Sequence, residues 1–221
     1  MQFFNHGFEL VDNFISEECR RKILNDIEMS ELSTDVSGIR HVDAKLQSVK
    51  AYLCSADFLQ AASGFLPKGA QLVRAILFNK SAESNWFVTW HQDKTVAVSA
   101  KFDAEGWGAW SYKEGVHHVQ PPLALLNEMV TVRIHLDPTP KENGCLKVIP
   151  NSHKLGILNP SEIAAVISSE NHFLCEASKY SALIMRPHLL HASSKSVLPA
   201  DRRILHVEFS NWQLPDDVEW G

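Results

Sequence analysis

His91 and Asp93, two positions apart in Trp90-His91-Gln92-Asp93, are the residues of this chain best spaced to share a metal ion. In extended backbone, residues i and i+2 point to the same face, so both side chains can reach one ion while Gln92 points away. A second imidazole brought in by the fold would complete two histidines and one carboxylate, and His191 in Leu190-His191-Ala192-Ser193 is the candidate. That ligand set leaves open positions on an octahedral ion and is the one used by non-heme Fe(II) oxygenases. A lone His-x-Asp is weak evidence in a chain with 11 histidines. It gains weight from Arg202-Arg203, which opens the strand-like run 203–209. The planar fork of an arginine suits the far carboxylate of a chelated 2-oxoacid better than a lysine does.

Such residues need a scaffold, and the patterning supplies one. Segment 7–15 alternates as a strand, and Ser16 offers an N-cap for a helix through Met29 with Cys19, Ile23, Leu24 and Ile27 on one face. A second helical region spans 44–66, breaks near Ser55 and stops at Pro67-Lys68-Gly69. From Gln71 onward the pattern changes to short β-rich runs at 71–79, 86–90, 129–136, 146–149, 181–185 and 203–209. Many short strands divided by Pro, Gly, Asn and Asp predict a sandwich or barrel with helices packed outside. Within 129–136, Val130, Val132, Ile134 and Leu136 alternate with Thr131, Arg133 and His135. One face therefore enters an apolar core and the other lines something polar.

Composition bounds the class. At 221 residues, 45% hydrophobic and 21% charged, the chain can bury a sizeable core as one domain, 1–221, with no broad disorder. The net charge of -5 and the lack of a basic cluster with interleaved aromatics argue against a nucleic-acid partner. The start of the chain has neither a signal-peptide pattern nor an apolar span, so no membrane partner is expected and the cytoplasm is the default location. Cys19, Cys54, Cys145 and Cys175 are dispersed and read as small buried hydrophobes rather than a zinc or disulfide framework. Oligomeric state is not readable.

Taken together, several separated blocks resemble the phytanoyl-CoA dioxygenase-like branch of the Fe(II)/2-oxoglutarate oxygenases over about 77–209. The blocks are Trp90-His91-Gln92-Asp93, Leu136-Asp137-Pro138, Asn143-Gly144-Cys145-Leu146-Lys147-Val148-Ile149-Pro150-Asn151-Ser152-His153, and His191-Ala192-Ser193 with Arg202. The resemblance implies a mainly β fold with flanking helices: a double-stranded β-helix, jelly-roll or cupin-like, over about 70–210 with helical support over about 16–66. It implies Fe(II) held by His91, Asp93 and His191, with 2-oxoglutarate and O2 as cosubstrates. The family's serine and carboxylate-binding arginine, two and eleven positions after the distal histidine, fall on Ser193 and Arg202. Asn79 and Lys80, near a place where related proteins use polar residues, are further candidates for the 2-oxoacid, against the equal alternative that they solvate a loop. His188 is the weaker distal ligand, because the serine and arginine offsets count from His191.

In that fold the polar face of 129–136 lines the barrel mouth. Arg133 then becomes a candidate anchor for a substrate carboxylate, against the equal alternative of a structural ion pair or a solvent-facing side chain. The stretch 94–128 shows little periodicity, carries Trp107, Trp110 and Tyr112 among glycines, and directly follows the first two ligands. It reads as a long lid over the iron, with Trp107 and Trp110 on the substrate side or, alternatively, pinning the loop to the barrel. His117 and His118 point to opposite faces and do not share an ion. His6, His41, His153, His172 and His206 read as surface or structural.

The implied reaction oxidises 2-oxoglutarate to succinate and CO2 and hydroxylates a C–H bond of a small molecule. Retention of the Asp93 carboxylate disfavours halogenation, which in the family goes with a small residue there. Two other classes stay open: a non-catalytic metal- or small-molecule-binding β-barrel, and a zinc hydrolase on the same ligands. The hydrolase leaves Ser193 and Arg202 unexplained.

Overall fold

The computed structural model describes residues 1–30, 32, 38–80, 84–113, 115–198 and 200–221. Helix α1 (Gln2–His6) leads into strand β1 (Phe8–Val11), shorter than the strand expected over 7–15. Helix α2 (Glu17–Met29) begins where expected: the Ser16 hydroxyl accepts the Cys19 N–H at 3.2 Å and occupies one of the donors that a helix start leaves free. Ile23, Leu24 and Ile27 are buried on its inner face. After the two-residue β2 (Ile39–Arg40) come three helices where one interrupted region was expected: α3 (Val42–Lys45), α4 (Gln47–Leu53) and α5 (Ala56–Ala62). The break at Ser55 is real, because its hydroxyl caps α5 through the Phe58 N–H.

The β-rich remainder comprises β3 (Gln71–Lys80), β4 (Val88–His91), β5 (Val96–Val98), β6 (Gly108–Lys113), β7 (Val116–Gln120), β8 (Val130–His135), β9 (Leu146–Val148), β10 (Phe173–Cys175), β11 (Ala182–Met185), β12 (His191–Ser193) and β13 (Arg202–Ser210). Helices α6 (Leu123–Glu128) and α7 (Pro160–Ser169) interrupt them. A six-stranded antiparallel sheet in the order β1-β11-β8-β13-β3-β2 faces a four-stranded one, β10-β9-β12-β4. This pair is the double-stranded β-helix.

Strand alternation divides the large sheet into two faces. Ala75, Leu77, Val132, Ile134, Ile184, Leu205 and Val207 point outward and bury against α2, α4 and α5. Phe58 sits at the centre of that layer with no exposed surface, its ring 5.5 to 6.0 Å from those of Phe14, Tyr52 and Phe209. Truncating such an aromatic to alanine costs about 3–5 kcal/mol. The inward face closes one end of the barrel with Phe8, Leu183 and Met185 against Leu146, Val148 and Cys175. The other end is open, and Arg74, Arg133, Arg202 and His206 point into it.

The stretch 94–128, expected to be an irregular lid, is instead a third sheet in the order β5-β7-β6, followed by α6. Val96, Val98 and Val119 bury against Val73, Leu125, Leu126 and Met129. Its strands are three to six residues long and its glycines interrupt the alternation, so the pattern is hard to see in sequence. Among the described residues no helix is long and apolar enough to cross a membrane.

Candidate metal centre and its cavity

The candidate metal-binding trio is assembled by one strand pairing. β4 runs antiparallel to β12 with His91 directly opposite His191, and the two ring centroids lie 4.2 Å apart. Asp93 follows just beyond β4, tied by its N–H to the Pro187 carbonyl at 3.0 Å. Gln92 points the other way, as the spacing predicts, and is buried. Its amide donates to the Gly156 and His188 carbonyls at 2.7 and 2.8 Å and its oxygen accepts the Leu158 N–H at 2.8 Å. This clamp fixes the backbone from which His91 and Asp93 project.

Both imidazoles are oriented by main chain. His91 Nδ1 lies 2.8 Å from the Thr89 carbonyl and His191 Nδ1 lies 2.8 Å from the Leu189 carbonyl. A carbonyl only accepts, so each Nδ1 carries the proton and each Nε2 keeps its lone pair. Those Nε2 atoms stand 3.6 and 3.5 Å from the two Asp93 oxygens, too far for good hydrogen bonds. The three ligand atoms lie within 4.8 Å of one another, and the donor set suits a divalent first-row metal. Burial pushes the His191 imidazole down to about 4 against the pull of Asp93, which favours the neutral ring that a metal ion requires. For Asp93, burial opposes ionisation but His191 and His91 outweigh it and hold the carboxyl well below its ordinary range.

Beside the trio lies a buried group of cations. Lys80 has no exposed surface; its ammonium donates to Ser193 Oγ at 3.2 Å and to the Ser194 carbonyl at 3.0 Å, and sits 5.1 Å over the Trp86 ring. Arg202 projects from β13 opposite Lys80 in register and donates to the Gly144 carbonyl. A β-carbon on Gly144 would meet the Ser194 carbonyl at 2.4 Å, and its φ is 64°, so glycine is needed there. Burial, followed by the charges of Arg202 and Arg133, pushes Lys80 down to about 7. Burial and then Arg133 push Arg202 down to about 10. Its neighbour Arg203 faces outward and grips Asp137 through Nε and Nη2 at 2.8 and 2.9 Å. Strand alternation thus separates the two arginines into an inward and an outward role.

A hydrogen-bonded chain crosses the floor of the cavity. Arg74 donates to Glu208 at 2.7 Å, His206 Nε2 contacts Glu208 at 2.9 Å, and Arg133 donates to His206 Nδ1 at 2.8 Å. His206, expected to be surface or structural, is buried and lines the cavity. Asp93, His206 and Glu208 also bring ligand atoms within 4.8 Å, but both His206 nitrogens and one Glu208 oxygen are committed to this chain. An ion there would have to break it. The His91, Asp93 and His191 trio needs no such rearrangement.

The cavity encloses about 350 Å³. His91, Asp93, His191, Ser193, Arg202 and Arg133 all line it, so six of the expected site residues converge. Three do not. Asn79 shares the outward face of β3 with Leu77, because side chains alternate and Phe78 takes the inward position. Trp107 and Trp110 pack around Phe102, at centroid distances of 4.8 and 5.3 Å, and anchor the small sheet to its apolar layer. That stretch instead presents Thr95, Ser111, Lys113 and His118 to the cavity. Thr95, Ser111 and Lys113 do not stand out in the sequence, since a strand of mixed polar residues carries no motif, and His118 is considered there only as a metal ligand together with His117. His188, the alternative distal ligand, is buried beside His153 with a ring separation of 6.1 Å.

Comparison with known proteins agrees with this architecture. The family model described as Phytanoyl-CoA dioxygenase (PhyH) matches residues 3–204. No curated protein matches the chain. Among solved structures, AviO1 from Streptomyces viridochromogenes Tue57 is similar with a TM-score of 0.70 at 16% identity, covering 97% of this chain and 94% of that one. HygX from Streptomyces hygroscopicus, solved with nickel and 2-oxoglutarate bound, has a TM-score of 0.65 at 13% identity over 96% and 86% of the two chains. The non-heme alpha ketoglutarate dependent epimerase SnoN from nogalamycin biosynthesis has a TM-score of 0.66 at 11% identity over 94% and 79%. At such identities the likeness establishes the double-stranded β-helix and leaves the reaction to the site itself. The match of the family model, running from α1 into β13 and spanning every strand of both facing sheets, is the finding that decides kinship: the chain belongs to the phytanoyl-CoA dioxygenase family.

Proposed function

We propose that this protein is an Fe(II)- and 2-oxoglutarate-dependent dioxygenase that hydroxylates a small molecule. His91, Asp93 and His191 are its metal ligands, and Arg202, Ser193 and Lys80 hold its cosubstrate. The observation that carries this reading is the meeting, at one cavity, of an oriented trio of two histidines and a carboxylate with buried cations. Among the described residues, Lys80, Arg133 and Arg202 form no salt bridge with any carboxylate. Buried cations without a counter-charge are costly, and a bound dicarboxylate relieves that cost. A zinc hydrolase would use the trio and leave the cations without a purpose.

Iron(II), when bound, supplies the activation of O2 that couples oxidation of 2-oxoglutarate to succinate and CO2 with oxidation of a substrate C–H bond. The chain's own residues do the rest. Thr89 and Leu189 keep both Nε2 lone pairs aimed at the ion, and the ionised Asp93 balances its charge. Arg202 and Lys80 approach the far carboxylate of 2-oxoglutarate from adjacent strands, with the Ser193 hydroxyl beside them. Retention of the Asp93 carboxylate supports hydroxylation over halide transfer.

The test is an anaerobic titration of purified protein with Fe(II) and then 2-oxoglutarate, followed through the weak visible metal-to-ligand charge-transfer band. Its growth in wild type and absence in His91→Ala, followed by succinate release in air, is the expected outcome. A folded, iron-loaded protein that develops no band overturns the reading.

A further inference from the structure

The chain carries 26 acidic residues against 21 basic ones, yet Arg40, Arg74, Lys113, Arg133 and Arg202 line the cavity, whereas among the described residues Asp93 is the single carboxylate facing it and Glu208 lies buried in the floor, paired with Arg74. Arg202 belongs to the cosubstrate end. The rest do not all crowd there. Along the inward face of β3 the order is Arg74, Ile76, Phe78, Lys80, so at about 3.3 Å per residue Arg74 lies about 20 Å from Lys80. Ligand atoms of Asp93, His206 and Glu208 lie within 4.8 Å of one another, His206 and Glu208 pair in register with Ile76 and Arg74, and Ser193, two residues from His191, meets Lys80, so the metal trio lies between the two cationic ends.

The Arg74 end is built from two sheets that meet across the cavity. Arg40 on β2 pairs in register with Ile76, next to Arg74 on the inward face. From the small sheet, Ser111 and Lys113 share one face of β6, and His118 on β7 pairs in register with Ser111. Lys113 is exposed at the rim. His118 retains only 7% of its surface and its Nε2 is buried with no hydrogen-bond partner; the Nε–H of Arg74 is unpartnered as well. Buried polar groups are nearly always paired, so two orphaned nitrogens beside a cluster of cations mark a place where a ligand atom belongs. Burial first, and then the charges of Arg74, Arg40 and Lys113, hold the His118 imidazole below its ordinary value.

We propose that this end binds an anionic group of the primary substrate, a carboxylate or a phosphate, between Lys113, Arg74 and His118. The substrate's apolar body lies along Ile76 and Phe78, which follow Arg74 on the inward face of β3, and this holds a carbon of that body at the metal trio. The substrate class is therefore a small amphipathic acid or phosphate ester, entering with its anion on the side opposite the cosubstrate. This assignment rests on reading the cavity as the oxygenase site proposed above. It transfers the anchoring role from the two tryptophans to the polar face of the sheet they support.

The experiment is isothermal titration calorimetry with three probes of one chain length, hexanoate, hexyl phosphate and hexanol, on wild type, Lys113→Glu and His118→Ala. Each titration is run with the metal-free protein and with the anaerobic Fe(II)/2-oxoglutarate complex. Wild type is expected to bind at least one of the two anions at least about tenfold more tightly than hexanol. Lys113→Glu, a rim change that spares the fold, should weaken that anion about tenfold and leave hexanol unchanged; His118→Ala should act in the same direction. Equal binding of all three probes, no binding of either anion, or anion binding indifferent to Lys113→Glu overturns the assignment. If the charge-transfer band fails in wild type while Lys113-dependent anion binding persists in metal-free protein, the oxygenase reading falls and the anion site stands.

Discussion

The two ends of the cavity contain the same kind of residue and are built differently. At the cosubstrate end, Lys80, Ser193 and Arg202 sit on strands of the two large sheets and are almost wholly buried, with Gly144 admitting the close approach of the backbone. At the outer end, Lys113 and His118 belong to a small three-stranded sheet held in place by Phe102, Trp107 and Trp110. In the first arrangement each cation is buried among strands and hydrogen-bonded to Ser193, Ser194 or Gly144. The second can change with the sequence of one short sheet while the metal and cosubstrate residues stay put. On the proposed reading, a reaction centre on the large sheets lies beside a separately supported recognition surface, a division by which one fold can serve different substrates.

The sharpest way to break this contrast is to remove a metal ligand. Asp93→Ala should lower Fe(II) affinity by more than the roughly 10–100-fold that loss of a ligand's supporting partner produces, and should abolish the charge-transfer band. Arg202→Ala should weaken 2-oxoglutarate about a hundredfold while iron occupancy, measured by metal analysis, stays near that of wild type. Equal loss of iron in both variants would erase the division of roles between the trio and the cation cluster.

Smaller effects sharpen the comparison. Gln92→Leu leaves the Leu158 N–H and two carbonyls without their partner, so denaturant unfolding should register a loss of about 1–3 kcal/mol and iron should bind more weakly. Lys80 predicts a pH dependence. Its ammonium is held at about 7, mainly by burial, and a neighbouring dianion favours the protonated form. Above pH 7 binding must take up a proton, so 2-oxoglutarate affinity should fall by up to about tenfold per pH unit until the proton is lost from the complex as well. Lys80→Met should flatten that profile. Without cosubstrate the sign for stability is the reverse: between about 7 and the ordinary lysine value of 10.5 the unfolded chain binds more protons, so the charge penalty is relieved as pH rises. The smallest effect belongs to the outer sheet. Trp110→Phe should leave Fe(II) and 2-oxoglutarate affinities within about twofold of wild type, as expected for a change remote from both.

The sequence by itself determined the period-two strands, the Ser16 cap, the helix break at Ser55 and the local geometry of His91, Gln92 and Asp93, because each depends on contacts a few residues apart. The same alternation would place Phe78 and Asn79 on opposite faces, but which face is inward is set by the helices that cover Leu77 and Leu205. That decision removed Asn79 from the site and sent Arg202 in and Arg203 out. Three-residue β12 has no pattern of its own; its pairing with β4, which sets His191 opposite His91, exists because the barrel closes. The gathering of Arg40, Arg74, Lys113 and His118 from two sheets likewise has no signature in the chain, since charge convergence is a property of distances that only folding creates.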